Sequence, residues 1–285
     1  MSRVAYVNGR YLRLAEAAVS IEDRAVQFGD GVYEVCQIAG GALIDEERHL
    51  ARLRTSLAAL RIAAPVAETA LRRILREVAA RNRVDDGLIY MQVSRGVAHR
   101  DHGFPAAAVK PGLIVTAKSI DTAAIEANVA RGVAVVTLAD ERWAHPHVKS
   151  LQLLPNVLAK QAAREAGAFE AWLVDADGFV TEGASTNAWI VAEDGVLVTR
   201  QADRAILRGV TRMRLIDVVA AAGFAFQERP FAREEAYRAR EAFFSSSTVI
   251  AMPVVAIDGR AVGDGRPGPL TLTLRRRFAD FAERA

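Results

Sequence analysis

Ala171-Trp172-Leu173-Val174-Asp175-Ala176-Asp177-Gly178-Phe179-Val180-Thr181-Glu182-Gly183 reads as an apolar strand, a tight Asp-Gly turn and a returning strand. Asp-Gly supplies the positive backbone angles that a two-residue hairpin turn needs. The pattern repeats just downstream, where 188–191 and 196–199 flank a second Asp-Gly pair at Asp194-Gly195. Upstream, Val4–Val7 is followed by Asn8-Gly9 and Tyr11-Leu12, an opening hairpin of the same kind. These are hairpin signals and not strand-helix-strand signals, so the sequence predicts an α+β chain.

Helical spacing fills the intervals. Leu50, Leu53, Leu57 and Leu60 share one face, as do Leu71, Ile74, Leu75 and Val78, with Pro65 between the two sets. Strands are expected at 88–93 and 113–117, joined by a long Gly-, His- and Pro-containing loop over 95–111. The polar, alanine-rich stretch 121–131 leads into a new β run at 133–138, which suggests a small domain over 1–120, a linker over 121–131 and a larger, β-rich domain with helices over 132–285. Further helices are expected at 155–166, 211–222 and 270–282, with another strand at 254–257.

Composition narrows the function classes. The net charge of +3 comes from 37 basic and 34 acidic residues scattered along 285, with no basic stripe or aromatic platform, so a nucleic-acid partner is not expected. No apolar run reaches the ~20 residues that span a bilayer. A single cysteine, Cys36, forms no intramolecular disulfide framework, and the first residues carry no secretory signal, so a cytoplasmic protein is expected. No residue set is assigned to a metal.

Only Lys110, Lys118, Lys149 and Lys160 are lysines. Lys149 precedes the apolar segment 151–158, which predicts a stem running into the interior, where burial makes an amine a usable nucleophile. Taken alone, its spacing favours an ordinary lysine at a strand end. Glu182, flanked by small residues in Thr181-Glu182-Gly183-Ala184-Ser185, suits the ring nitrogen of a flat ligand, or is a solvated loop glutamate. Gly209-Val210-Thr211 opens a helix whose first amides and Thr211 hydroxyl could seat a phosphate; Ser246 and Ser247 add hydroxyls, and Arg52 charge, although each of these features is commonplace singly. Arg100 and His102 lie on one side of an extended segment and could trap a carboxylate, with Tyr33 adding a hydroxyl; the same loop could be a solvated tip.

In order along the chain, Phe28-Gly29-Asp30-Gly31-Val32-Tyr33-Glu34, His49-Leu50-Ala51-Arg52-Leu53, Val148-Lys149-Ser150-Leu151, the 181–187 segment and Gly209-Val210-Thr211-Arg212 resemble the fold-type IV pyridoxal-phosphate enzymes, the branched-chain aminotransferase-like family. The two-domain α+β architecture of that family is therefore expected. Lys149-Ser150-Leu151-Gln152-Leu153-Leu154-Pro155-Asn156 and Arg100-Asp101-His102 are similar to its D-amino-acid aminotransferases. The resemblance implies that Lys149 holds the aldehyde of pyridoxal 5'-phosphate and shuttles the substrate proton. It assigns Glu182 to the ring nitrogen, Leu207 to the ring face, and Arg52, Val210, Thr211, Ser246 and Ser247 to the phosphate. Tyr33, Arg100 and His102 would bind the substrate carboxylate, in a homodimer acting on amino and 2-oxo acids by a ping-pong scheme. Ser247 and Arg208 depart mildly from the family pattern, which more often has threonine and a smaller residue there. R-amine transamination, branched-chain L-amino-acid transamination and aminodeoxychorismate elimination are alternatives on the same scaffold; a binding protein without turnover is another.

Overall fold

The computed structural model describes residues 3–106 and 108–285, and the chain divides into two compact units. Unit 1 comprises Met1–Ile120, Val148–Gln152 and Glu283–Ala285. Its elements are β1 (Val4–Val7), β2 (Arg10–Arg13), α1 (Arg24–Phe28), β3 (Gly31–Ala39), β4 (Ala42–Leu43), α2 (Glu46–Ala59), α3 (Glu68–Asn82), β5 (Gly87–Ser94) and β6 (Gly112–Ser119). Among the described residues the strands form one antiparallel sheet in the order β2-β1-β6-β5-β3-β4. Asn8 and Gly9 both have positive φ, 48° and 97°, as the β1–β2 turn requires. Leu50, Leu53 and Leu57 of α2 and Leu71, Leu75 and Val78 of α3 are buried with Ile89, Met91, Val93 and Val115 of the sheet. The leucine spacing is therefore the core spacing.

Unit 2 comprises Asp121–His147 and Leu153–Ala282. It contains α4 (Thr122–Arg131), β7 (Val133–Ala139), α5 (Leu154–Glu165), β8 (Glu170–Val174), β9 (Val180–Gly183), β10 (Asn187–Val191), β11 (Leu197–Thr199), α6 (Val210–Ala222), β12 (Phe226–Glu228), α7 (Arg233–Tyr237), β13 (Glu241–Ser246), β14 (Ile250–Ile257), β15 (Arg260–Ala261) and α8 (Pro269–Phe281). The sheet runs β12-β11-β10-β13-β14-β7-β8-β9, with β15 on β14. Trp172, Ile190, Phe231, Phe244 and Met252 are among its fully buried core residues.

Three features differ from the sequence reading. The stretch 121–131, read as a linker, forms helix α4, capped by the Asp121 carboxylate on Ala124 N at 2.9 Å. The second half is not built of hairpins alone. β7 pairs in parallel with both β8 and β14, and α5 lies in the β7–β8 crossover. Finally, Val148–Gln152, inside the 132–285 stretch, groups with unit 1. Val32 bridges Ser150, and Leu151 N donates to Gly31 O and Tyr33 N to Lys149 O, each at 3.0 Å. The catalytic-lysine candidate is thus strung along the start of β3.

Candidate active site

The residues singled out from the sequence are divided between the two units: Tyr33, Arg52, Arg100, His102 and Lys149 lie in unit 1, and Glu182, Leu207, Val210, Thr211, Ser246 and Ser247 in unit 2. In unit 1, backbone pairing with β3 brings Lys149 to Tyr33, and the Lys149 Nζ lies 4.2 Å from the centroid of the Tyr33 ring. An ammonium over an aromatic face is held electrostatically. Tyr33 in turn stacks on Tyr90 at 5.7 Å and 30°. Burial, followed by the Tyr33 neighbour, pushes the Tyr90 hydroxyl up to about 12. Lys149 is half-buried and has no ion-pair partner among the described residues of its unit. Its approach to Tyr33 does not come from the apolar segment behind it, since Leu154, Val157 and Leu158 are 69%, 58% and 60% exposed.

Successive residues of a strand face opposite sides, so Glu34 points away from Tyr33 and into the interior. Arg52 grips its carboxylate with Nε to Oε1 at 2.7 Å and a second nitrogen to Oε2 at 2.8 Å, and His49 Nδ1 lies 2.8 Å from Oε2. Burial works to raise the Glu34 pKa, but the Arg52 charge and the hydrogen bonds from Arg52 and His49 prevail and bring it down to about 2. Burial lowers the His49 pKa, the charges of Arg52 and Lys149 add to that, and the Glu34 contact only partly opposes them. Arg52, assigned to the phosphate from sequence, is thus aimed by a buried carboxylate that the sequence reading left without a role. The available signal was a glutamate in line with Val32, Cys36 and Ile38, the apolar row of alternate residues in β3.

Arg100 and His102 are exposed and come together on one ring: Arg100 Cζ lies 5.2 Å from the Phe28 centroid, and the His102 ring 5.4 Å. Among the described residues they form no hydrogen bond or ring contact with Tyr33.

Unit 2 holds the other residues. Glu182 is buried on β9, and the backbone N–H of Leu207 donates to both its oxygens at 3.1 Å. The Asn187 amide donates to Oε2 at 2.8 Å and also to Leu207 O at 3.0 Å. Arg142 forms an ion pair with Glu182 while its other nitrogens hold Asp140, Thr181 Oγ1 and the Ala205 carbonyl. Burial works against both charges of the Asp140–Arg142 pair, yet the contacts hold the Asp140 pKa below its ordinary value and raise that of Arg142. Arg142, Asp140 and Asn187 were missed because their roles arise from sheet register, with no local motif.

Leu207 leads into α6, whose N-cap is Gly209 with no side-chain cap. A Cβ at Gly209 would lie 2.0 Å from Asn187 Oδ1, so glycine permits this close approach. The first amides of a thirteen-residue helix, uncapped by any side chain, with the Thr211 hydroxyl among them, make an anion-binding end. Ser246 closes β13, which pairs with β10 through Asn187↔Ser245, and Ser247 follows. Both serines are half-buried.

Taken unit by unit, the donors suit parts of pyridoxal 5'-phosphate: in unit 1 an amine, Lys149, with no carboxylate partner among the described residues of that unit, and in unit 2 a carboxylate, Glu182, oriented by Leu207 N–H, Asn187 and Arg142, together with the uncapped end of α6.

Residues 31–257 match the family described as amino-transferase class IV. The chain is 42% identical over 264 residues to a D-alanine aminotransferase of Bacillus licheniformis, covering 93% of this chain and 92% of the relative. It is 38% identical to the D-alanine aminotransferase of Listeria monocytogenes over 98% of this chain and 96% of that one. Among solved structures it is similar to the T.th. branched-chain amino acid aminotransferase with pyridoxamine 5'-phosphate, with a TM-score of 0.91 and 26% identity over 98% of this chain and 94% of that chain.

Proposed function

The chain belongs to the class IV aminotransferase family, and from that footing we propose that it transfers amino groups between D-amino acids and 2-oxo acids, D-alanine and 2-oxoglutarate being the representative pair. The observation that carries this reading is Lys149, an amine held over the Tyr33 ring by backbone pairing with β3. The preference for the D-isomer draws on the identity to D-alanine aminotransferases, 42% against 26% for the structurally similar branched-chain enzyme. Transfer from branched-chain L-amino acids, which the structural likeness favours, is the second reading.

Pyridoxal 5'-phosphate, when bound, supplies an aldehyde carbon to the substrate nitrogen and a ring that accepts electrons from the substrate Cα. Lys149 would hold that aldehyde and would serve as the base that carries the substrate Cα proton. Glu182 pairs with the ring nitrogen, and Leu207 packs on the ring face. Arg52, Val210, Thr211, Ser246 and Ser247 hold the phosphate, with Glu34 and His49 fixing the angle of Arg52. Tyr33, Arg100 and His102 bind the α-carboxylate. Two half-reactions on one lysine give ping-pong kinetics.

The working form proposed is a cytoplasmic homodimer with small amino and oxo acids as its only substrates and neither nucleic acid nor membrane as partner. Among the described residues no helix is long and apolar enough to cross a membrane. The test is formation of pyruvate and glutamate from D-alanine and 2-oxoglutarate by wild type and Lys149→Ala. Loss of turnover in the variant is expected; transfer at the wild-type rate would overturn the assignment.

A further inference from the structure

The carboxylate of Asp30 binds two arginines at once. Arg24 Nε donates to Oδ2 at 2.8 Å, while Arg95 donates to Oδ2 through Nε at 2.7 Å and to Oδ1 at 3.0 Å. The side chains are largely buried, at 3% exposure for Arg24, 10% for Arg95 and 13% for Asp30. Burial works to raise the Asp30 pKa, but the two arginines outweigh it and hold it below its ordinary value. Fully occupied charge-assisted bonds of this kind fix planar groups in orientation as well as in place.

Each arginine then holds the 95–111 loop at a different point, Arg24 between Arg100 and His102 and Arg95 beyond His102. Arg24 donates to the Asp101 carbonyl at 2.6 Å, between the two, and lies 4.7 Å over Phe28, the ring that both Arg100 and His102 approach. Arg95 stacks on Phe104, beyond His102, with its Cζ 3.8 Å from the ring centroid, and Arg61 lies 4.7 Å from the same centroid. Arg95 is itself pinned to the Leu60 and Arg61 carbonyls at 2.8 and 3.0 Å. Phe104 is 50% exposed, so apolar burial alone does not hold it against the fold. The arginine stack does.

We propose that Asp30, acting through Arg24 and Arg95 with Phe104 as the far pin, is a positioning residue that sets Arg100 and His102 for substrate carboxylate binding. The inference rests on the carboxylate role proposed for Arg100 and His102. Asp30 touches no substrate. It fixes a loop whose conformational freedom would otherwise be lost on binding, and preorganisation of that kind shows in affinity for the carboxylate-bearing substrate.

The test uses the holoenzyme with D-alanine as donor and 2-oxoglutarate as acceptor, measuring KM and kcat separately. Phe104→Ala, at a half-exposed position that leaves the core intact, is expected to raise the D-alanine KM by about three- to tenfold with kcat within about twofold of wild type. Phe104→Tyr, which keeps the ring, restores the wild-type KM, whereas Phe104→Leu does not. Arg100→Ala raises KM by about tenfold or more, and adding Phe104→Ala to it raises KM no further. Asp30→Asn follows the Phe104→Ala pattern. If Arg100→Ala raises KM and Phe104→Ala does not, or if the two effects multiply, the positioning role is overturned while the carboxylate reading stands. If Arg100→Ala leaves KM unchanged, the carboxylate reading itself fails and this inference fails with it.

Discussion

The side-chain amide of Asn187 bridges Glu182 Oε2 at 2.8 Å and the Leu207 carbonyl at 3.0 Å, so one residue of β10 fixes both the proposed ring-nitrogen carboxylate and the loop that enters α6. A hydrogen bond to a charged, buried group is worth roughly 1.5–3 kcal/mol. Asn187→Ala is therefore expected to lower kcat by about tenfold or more and to weaken cofactor retention. Dialysis followed by the absorbance of the retained cofactor, together with steady-state rates, checks this; a variant with both properties unchanged would mean that Leu207 N–H and Arg142 orient Glu182 without help.

Gly209→Ala places a Cβ 2.0 Å from Asn187 Oδ1 and 3.3 Å from Arg212 Cβ. Either the 207–209 loop or Asn187 must yield, at a cost of about 1–3 kcal/mol. Thermal melts with and without pyridoxal 5'-phosphate should show a lower midpoint and a smaller gain on adding cofactor. An unaltered gain would separate this glycine from the phosphate seat.

Glu34 links folding to acidity. Its pKa falls from an ordinary 4.5 to about 2 on folding, so the carboxylate contributes stability that is fully present above the ordinary value and is lost as pH falls from there through about 2. Glu34→Gln removes the buried carboxylate charge that Arg52 and His49 contact and is expected to destabilise the protein by roughly 3 kcal/mol at neutral pH. Denaturant titrations from pH 6 downward should show the gap between wild type and variant closing as pH falls below about 4.5; a gap that does not change with pH would contradict the assignment.

Tyr33→Phe keeps the ring beside Lys149 and removes only the hydroxyl. The D-alanine KM should rise by about three- to tenfold with a smaller change in kcat. A fall in kcat at constant KM would place the hydroxyl in proton transfer rather than in carboxylate binding.

The elements legible in the sequence are those whose signal is local. Asn8-Gly9 adopts the positive φ its turn needs, and Leu71, Ile74, Leu75 and Val78 lie on the buried face of α3. β3 escapes that reading because its inward row includes Glu34, and a charge in that row is tolerated only through Arg52 and His49 on α2, distant in sequence. α5 misleads in the opposite direction: Leu154, Val157 and Leu158 suggest an interior and are exposed. Lys149 and Glu182 stand out by residue type and setting. Arg142, Asn187 and Asp30 do not, because an arginine, an asparagine or an aspartate takes on a site role only when folding delivers its partners.

The central claim is that Lys149 carries the cofactor and serves D-amino acids. The most direct measurement is the visible spectrum of the purified holoenzyme before and after D-alanine, with L-alanine as the paired addition. A yellow cofactor band bleached by D-alanine and untouched by L-alanine is the predicted result; bleaching by L-alanine alone would contradict the handedness and move the chain to another activity on the same fold.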